Sequence, residues 1–231
     1  MMERLVFGVL SLVLLTALIW AAWSLPVAPT GLTGPSFERL AESGVEHPVT
    51  AVLLNFRGYD TLLEISVLLL AIVGVWSLRP GEWPASDVRG RPLLFSLLRL
   101  LFPVLLLAAG HLLWVGAFAP GGAFQAGALL GGVVVLAMLG GLARREFHRA
   151  GWLRAGLVVG VLVFAAAGFA AIGLTGGMLE YPAGSGGVWI VVIETAAMIS
   201  IGLTLGLLYL GGRPERRIAG DTQPDASTPH A

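Results

Sequence analysis

The sequence predicts an all-α, polytopic membrane protein: a helical bundle of about six transmembrane helices with both termini cytoplasmic. Three observations predict it. Of the 231 residues, 56% are hydrophobic and only 12% charged, against roughly 25% charged in soluble domains, so too little polar surface remains to keep a globule in water. The apolar residues fall into runs of the ~20 residues that a helix needs to cross a bilayer. The arginines concentrate in every second connection between those runs, on one side of the membrane. The same composition excludes other classes. Basic and acidic residues number 14 each, so no basic excess faces phosphates and no nucleic-acid partner is expected. There is no cysteine, which removes disulfide scaffolds, thiolate metal sites and cysteine nucleophiles.

The first span is residues 5–25, in a stretch free of charge between Arg4 and Glu38. A signal peptide is the competing reading. The apolar run is longer than the usual signal core and no small-x-small site closes it, so a retained helix is expected. Residues 26–48 are rich in Pro, Gly and Glu and read as an exposed connection. Residues 49–78 form a second span, 92–114 a third and 120–143 a fourth. Residues 155–175 and 188–210 are the fifth and sixth, and 213–231 is a polar, disordered tail. With the N-terminus inside, the inner segments hold Arg4, Arg79, Arg89, Arg91, Arg144, Arg145, Arg149, Arg154, Arg213, Arg216 and Arg217. The outer connections hold only Arg39. This positive-inside asymmetry alternates correctly across all six spans. Small residues at Gly127 and Gly131, Gly156 and Gly160, and Gly202 and Gly206 have the four-residue spacing that lets helix backbones approach closely.

Ionisable groups inside a bilayer are costly, so each is a functional candidate. The second span holds Arg57, Asp60 and Glu64, whose spacings of three and four put them on one helix face. A rise of about 1.5 Å per residue sets Glu64 near the middle of a helix over 49–78. Hydrocarbon disfavours its charged form, so it is expected to exchange a proton or a small cation. Arg57 and Asp60 can serve it or merely pair at the outer interface. Asn55 and Gly58 predict a bend or loosened turn there. Glu194, in the sixth span, either joins an ion path or snorkels to the outer interface. Arg99 and His111 lie in the third span, each with a structural reading beside the functional one. His111 lacks a His, Asp or Glu partner at ligand spacing, so no metal site is expected. No nucleotide-binding or hydrolase signature occurs, and neither catalysis nor a bound cofactor is expected. The run Pro120-Gly121-Gly122-Ala123-Phe124-Gln125 opens the fourth span. Its glycines permit an unusual backbone, and Gln125 carries an amide that needs a partner at that depth.

Two stretches resemble known families. The run from His47 to Val67, containing Phe56-Arg57-Gly58-Tyr59-Asp60-Thr61-Leu62-Leu63-Glu64-Ile65, resembles the C-terminal part of the A-type subunit of Mrp-type Na+/H+ antiporters. The small MbhE subunit of energy-converting membrane-bound hydrogenases carries the same motif. Tyr59 stands where those families have Phe, and Leu63 where they have Gly. From about Pro92 onward the chain resembles the MnhB/MrpB subunit of the same antiporters, the MnhB domain. Leu100-Leu101-Phe102-Pro103 and the run Ala119 to Gly127 carry that likeness, with Ala123 replacing a family Gly. The resemblance implies a two-helix, MbhE-like module over 1–80 fused to a four-helix MnhB module over 92–212, followed by the tail. It implies a non-catalytic plasma-membrane subunit of a multisubunit Na+/H+ antiporter, whose partners are the other subunits and the bilayer and whose only ligands are transported Na+ or H+. It places Asp60 and Glu64 in an ion path, with an acidic residue in the last helix like Glu194. It assigns Phe124 and Gln125, with Pro120, Gly121 and Gly122, to subunit packing. The alternatives are a membrane arm of a hydrogen-evolving redox complex and a purely structural role in assembly.

Overall fold

The computed structural model describes residues 2–24, 31, 33–78, 92–139 and 151–211. The expected tail over 213–231 and the arginines of 79–91 and 144–149 lie outside the described residues. Residues 1–37 and 38–231 form separate compact units. The first holds α1 (Met2–Trp23), an apolar helix over the expected first span, and most of the short α2 (Thr33–Glu38).

In the second unit the expected second span is broken in two. It starts at α3 (Pro48–Ala51), with a proline in the first turn, where the missing N–H is no loss. A π-turn follows over Val52–Phe56, and the Arg57 N–H donates back five residues to the Val52 carbonyl at 2.7 Å. Arg57 then leaves helical geometry at φ −130, ψ 32, and α4 (Gly58–Leu78) resumes. The remaining long helices are α5 (Pro92–Val115), α6 (Ala123–Leu139), α7 (Gly151–Thr175) and α8 (Gly186–Gly211). All the regular structure among the described residues is helical. Four stretches are long and apolar enough to cross a membrane: Gly58–Leu78, Ser96–Val115, Gly151–Thr175 and Gly186–Tyr209. The described parts of the first and fourth spans, Gly8–Trp23 and Ala123–Leu139, are apolar but shorter. The chain is an all-α, multi-pass membrane protein.

Helix α8 lies at the centre of the second unit, packed on α6 and α7 and also on α4 and α5. The small-residue spacings explain how. A side-chain carbon on Gly127 would lie 2.8 Å from Ile201, and one on Gly131 would sit 3.1 Å from Leu205. From the other side, one on Gly202 would meet Leu130 at 2.8 Å. The glycines of α6 and α8 thus receive each other's side chains. On α7, Gly160 admits Ser200 and the Ala197 backbone, and the Ser200 hydroxyl donates to the Leu157 carbonyl at 2.5 Å.

Breaking a helix frees carbonyls, and each one unsatisfied in a bilayer costs several kcal/mol. Here they are taken up. Thr61 Oγ1 donates to the Leu53 carbonyl at 2.6 Å. The Tyr181 hydroxyl donates to the Leu54 carbonyl at 2.9 Å. Asn55 Nδ2 donates to the Leu179 carbonyl at 3.2 Å. Leu179 adopts φ 65, a left-handed conformation costly for a branched side chain, and is 1% exposed. Its methyl group occupies the place a side chain on Gly58 would take.

The connection read as exposed over 26–48 is partly inside the fold. A 3-10 turn spans Leu40–Ser43, and Ser43 and Val45 are buried. Gly44 (φ 79) rests against Gly186, where a side-chain carbon on Gly44 would come within 2.9 Å of the Gly186 backbone. Two facing glycines allow that approach, which composition alone does not reveal.

Candidate functional site

Two arrangements of carboxylates emerge, one open and one closed. The open one begins at the helix break. Arg57 ends the π-turn, and Asp60 sits in the first turn of α4, where the positive end of the helix dipole favours a carboxylate. Their side chains form an ion pair and are 60% and 47% exposed. Glu64 lies one turn further on and is exposed. All three line one open groove of about 840 Å³ with Leu63, Val67 and Leu68 of α4, Phe124 and Ala128 of α6, and Ile201 and Leu205 of α8. The spacing rule therefore holds: the three charges share a face. The expectation of apolar surroundings for Glu64 holds only for the groove walls, since its carboxylate points away from this chain's core.

The closed arrangement centres on Glu194, which is 3% exposed. It does not snorkel to an interface; it points into the fold. Its Oε1 accepts the Ala123 backbone N–H at 3.3 Å, while Oε2 is buried without a hydrogen-bond partner. The glycine-rich turn creates this receptor. Gly122 N–H donates to the Leu112 carbonyl at 2.9 Å, which folds the turn onto the end of α5. A side-chain carbon on Gly121 would lie 2.5 Å from that same carbonyl oxygen. Gly122 is at φ 101, and a side-chain carbon there would lie 2.5 Å from Glu194 Oε1. Gly121 and Gly122 are thus required by close approach, and their effect is to present the first N–H of α6 to a carboxylate on α8.

The other motif residues divide. Pro120 and Gln125 are exposed, and Phe124 is half-buried in the groove wall. Arg99 and His111 are exposed on α5 and line neither arrangement. Among the described residues no three His, Cys, Asp or Glu side chains gather as a metal-ligand cluster. The residues that secure the break, Asn55, Thr61 and Tyr181, carry no charge. Only a polar side chain inside an apolar run marks the first two. Burial pushes the Tyr181 hydroxyl above the ordinary tyrosine range, so it remains a donor to Leu54.

Fold and site together define a polytopic helical membrane protein with a broken helix and carboxylates held among apolar walls. Residues 93–210 match the family described as "Domain related to MnhB subunit of Na+/H+ antiporter". The chain belongs to that family. It is 29% identical over 174 aligned positions to a probable K(+)/H(+) antiporter A/B subunit of Rhizobium meliloti (strain 1021), an alignment covering 58% of this chain. The chain spans only 17% of that relative's length. Its fold is similar to one chain in the "Structure of the membrane-bound sulfane sulfur reductase (MBS), an archaeal respiratory membrane complex". The TM-score is 0.67 at 24% identity, covering 92% of this chain and 98% of that one. It is also similar to a chain in the "Structure of Mrp complex from Dietzia sp. DQ12-45-1b". There the TM-score is 0.65 at 20% identity, with coverage of 93% and 26%.

Proposed function

We propose that the chain is a membrane subunit of a multisubunit monovalent cation/proton antiporter, with Asp60 and Glu64 in the path of the transported ion. The observation that carries this reading is the groove itself. Two carboxylates and a guanidinium line a laterally open trough with apolar walls, where an ionisable side chain is a functional candidate by default. The ion pair leaves Glu64 as the free acceptor. Family membership over 93–210 supports the antiporter setting. In this reading the chain has no catalytic site or bound cofactor, residues 1–80 act as the two-helix module, and neighbouring subunits cover the groove in the plasma membrane.

A second reading, a membrane-arm subunit of an energy-converting redox complex, draws on one observation. The fold matches nearly the whole of one chain of the sulfane sulfur reductase complex, but only a quarter of the Mrp chain. Purification of the native complex and identification of its partners separates the two.

The test of the proposal is Glu64→Gln in the assembled complex, with cation-driven proton flux measured in vesicles. Flux is expected to fall tenfold or more, the scale of losing a charge-assisted contact of about 1.5–3 kcal/mol. Asp60→Asn is expected to impair flux as well, because it releases Arg57 toward Glu64. Undiminished exchange in an intact complex carrying Glu64→Gln overturns the role of that carboxylate.

A further inference from the structure

We infer that Glu194 is a proton-binding position closed to metal cations, so that the two ions of the proposed exchange are handled by different carboxylates. The inference rests on the antiporter reading for its setting and on the geometry around Glu194 for its content. A hard cation held by protein takes about six oxygen ligands. Glu194 offers no such set: Oε1 is engaged by the Ala123 N–H, and Oε2 meets no polar atom within hydrogen-bond reach. Ile190, Ile193 and Ala197, its neighbours on α8, belong to one buried apolar cluster together with Ala123. The group facing the carboxyl is an N–H at the start of α6, the positive end of a helix dipole. An N–H holds the carboxyl through an oxygen but adds no oxygen ligand to a cation's coordination shell, whereas a proton on the carboxyl needs no such shell.

Among the described residues the surrounding elements supply no alternative partner. On the segment bound to the turn before α6 through the Ala117 carbonyl, Glu46 is exposed and His47 faces the Thr50 hydroxyl. Helix α6 carries no titratable residue over Ala123–Leu139. On α7, Arg154 is exposed within the first turn. On α5, Arg99 and His111 are exposed, and on α4, Asp60 and Glu64 line the groove while Tyr59 is exposed. Before α8, Glu180 is exposed and Tyr181 donates to Leu54. None of them pairs with Glu194. The groove differs in kind. There Asp60 and Glu64 stand open beside Arg57, able to meet a hydrated ion. Phe124, the residue after Ala123, stands in the groove wall and marks how near the two arrangements come along the chain.

The experiment uses the complex purified with its native partners in vesicles, treated with an apolar carbodiimide, which reacts with protonated carboxyl groups in apolar surroundings. The adduct on Glu194 is read by mass spectrometry of the chain, and does not depend on transport. Labelling is expected to decline as pH rises and to be indifferent to Na+ or K+ at fixed pH. Protection of Glu194 by either cation overturns the inference. Infrared difference spectra between acid and alkaline buffer give a second readout. A protonated-carboxyl band that is lost in Glu194→Gln and unmoved by Na+ is expected. A Na+-sensitive band, or neither band nor label at any pH, overturns it. Full flux in Glu64→Gln would refute the antiporter role of the groove while leaving this labelling pattern intact, so the two failures are distinguishable.

Discussion

Gly122 is the residue on which the closed site depends most directly. Its backbone angle is one that side-chain-bearing residues adopt at a cost of about 1–3 kcal/mol, and a side-chain carbon there would intrude on Glu194 Oε1 at 2.5 Å. Gly122→Ala is therefore expected to destabilise the chain by about that amount and to displace the Glu194 carboxyl from the Ala123 N–H. A thermal melt of the assembled complex in detergent checks the first effect, and altered carbodiimide labelling of Glu194 the second. Sequence reasoning picked out both partners and missed that they meet. The glycines predicted an unusual turn, and Glu194 stood out as a carboxylate in an apolar run. Their contact joins positions 71 residues apart through a backbone N–H, a group that every residue but proline possesses and that no pattern of side chains marks. The choice between snorkelling and pointing inward was equally out of reach, because α8 is apolar on all sides and shows no polar face.

At the scale of elements, the broken helix is held by the loop between α7 and α8. Tyr181 stacks on Trp189 with ring centroids 5.9 Å apart while its hydroxyl serves the Leu54 carbonyl. Tyr181→Phe leaves that carbonyl unsatisfied at an expected loss of about 1–3 kcal/mol, measurable as a lowered melting temperature. The pH dependence has a definite sign. The folded-state pKa is raised by burial above the unfolded value of about 10, so the tyrosine's contribution is complete below that value and declines as pH climbs above it. The variant is expected to lack this alkaline decline, as melts across an alkaline pH series would show. The six apolar stretches were legible because length and hydropathy are local properties. The weak point at Asn55 and Gly58 was legible too, from a polar residue and a glycine in an apolar run. The particular form of the break was not, since a π-turn is selected by partners 124 and 127 residues away.

On the scale of the molecule, the surface of the second unit combines exposed leucines, valines and aromatic residues with one groove of charge. The apolar part suits lipid. Glu64 does not: it is an exposed carboxylate in the second turn of α4, nearer the helix start than the mid-helix position expected from an unbroken span, inside a stretch apolar enough to cross a membrane, where an ionisable group is costly. The chain produced alone is expected to be unstable or self-associated in detergent, and to become monodisperse when made with its partner subunits. Size-exclusion chromatography of the two preparations checks this, and a monodisperse, thermally robust monomer would refute it. That Glu64 faces outward could not be read from its neighbours, because a helix apolar all round gives no clue which side meets its own chain. The π-turn also bears on how such a chain can vary by inheritance. It accommodates one residue more than a continuous α-helix would. Loss of a single codon within Val52–Phe56 would let the two halves heal into one regular helix. With α3 still anchored, the deletion would remove the one residue the π-turn holds in excess, so the two halves would keep their relative rotation and the charges their groove, while the carbonyls now served by Thr61 and Tyr181 would return to ordinary helical bonds.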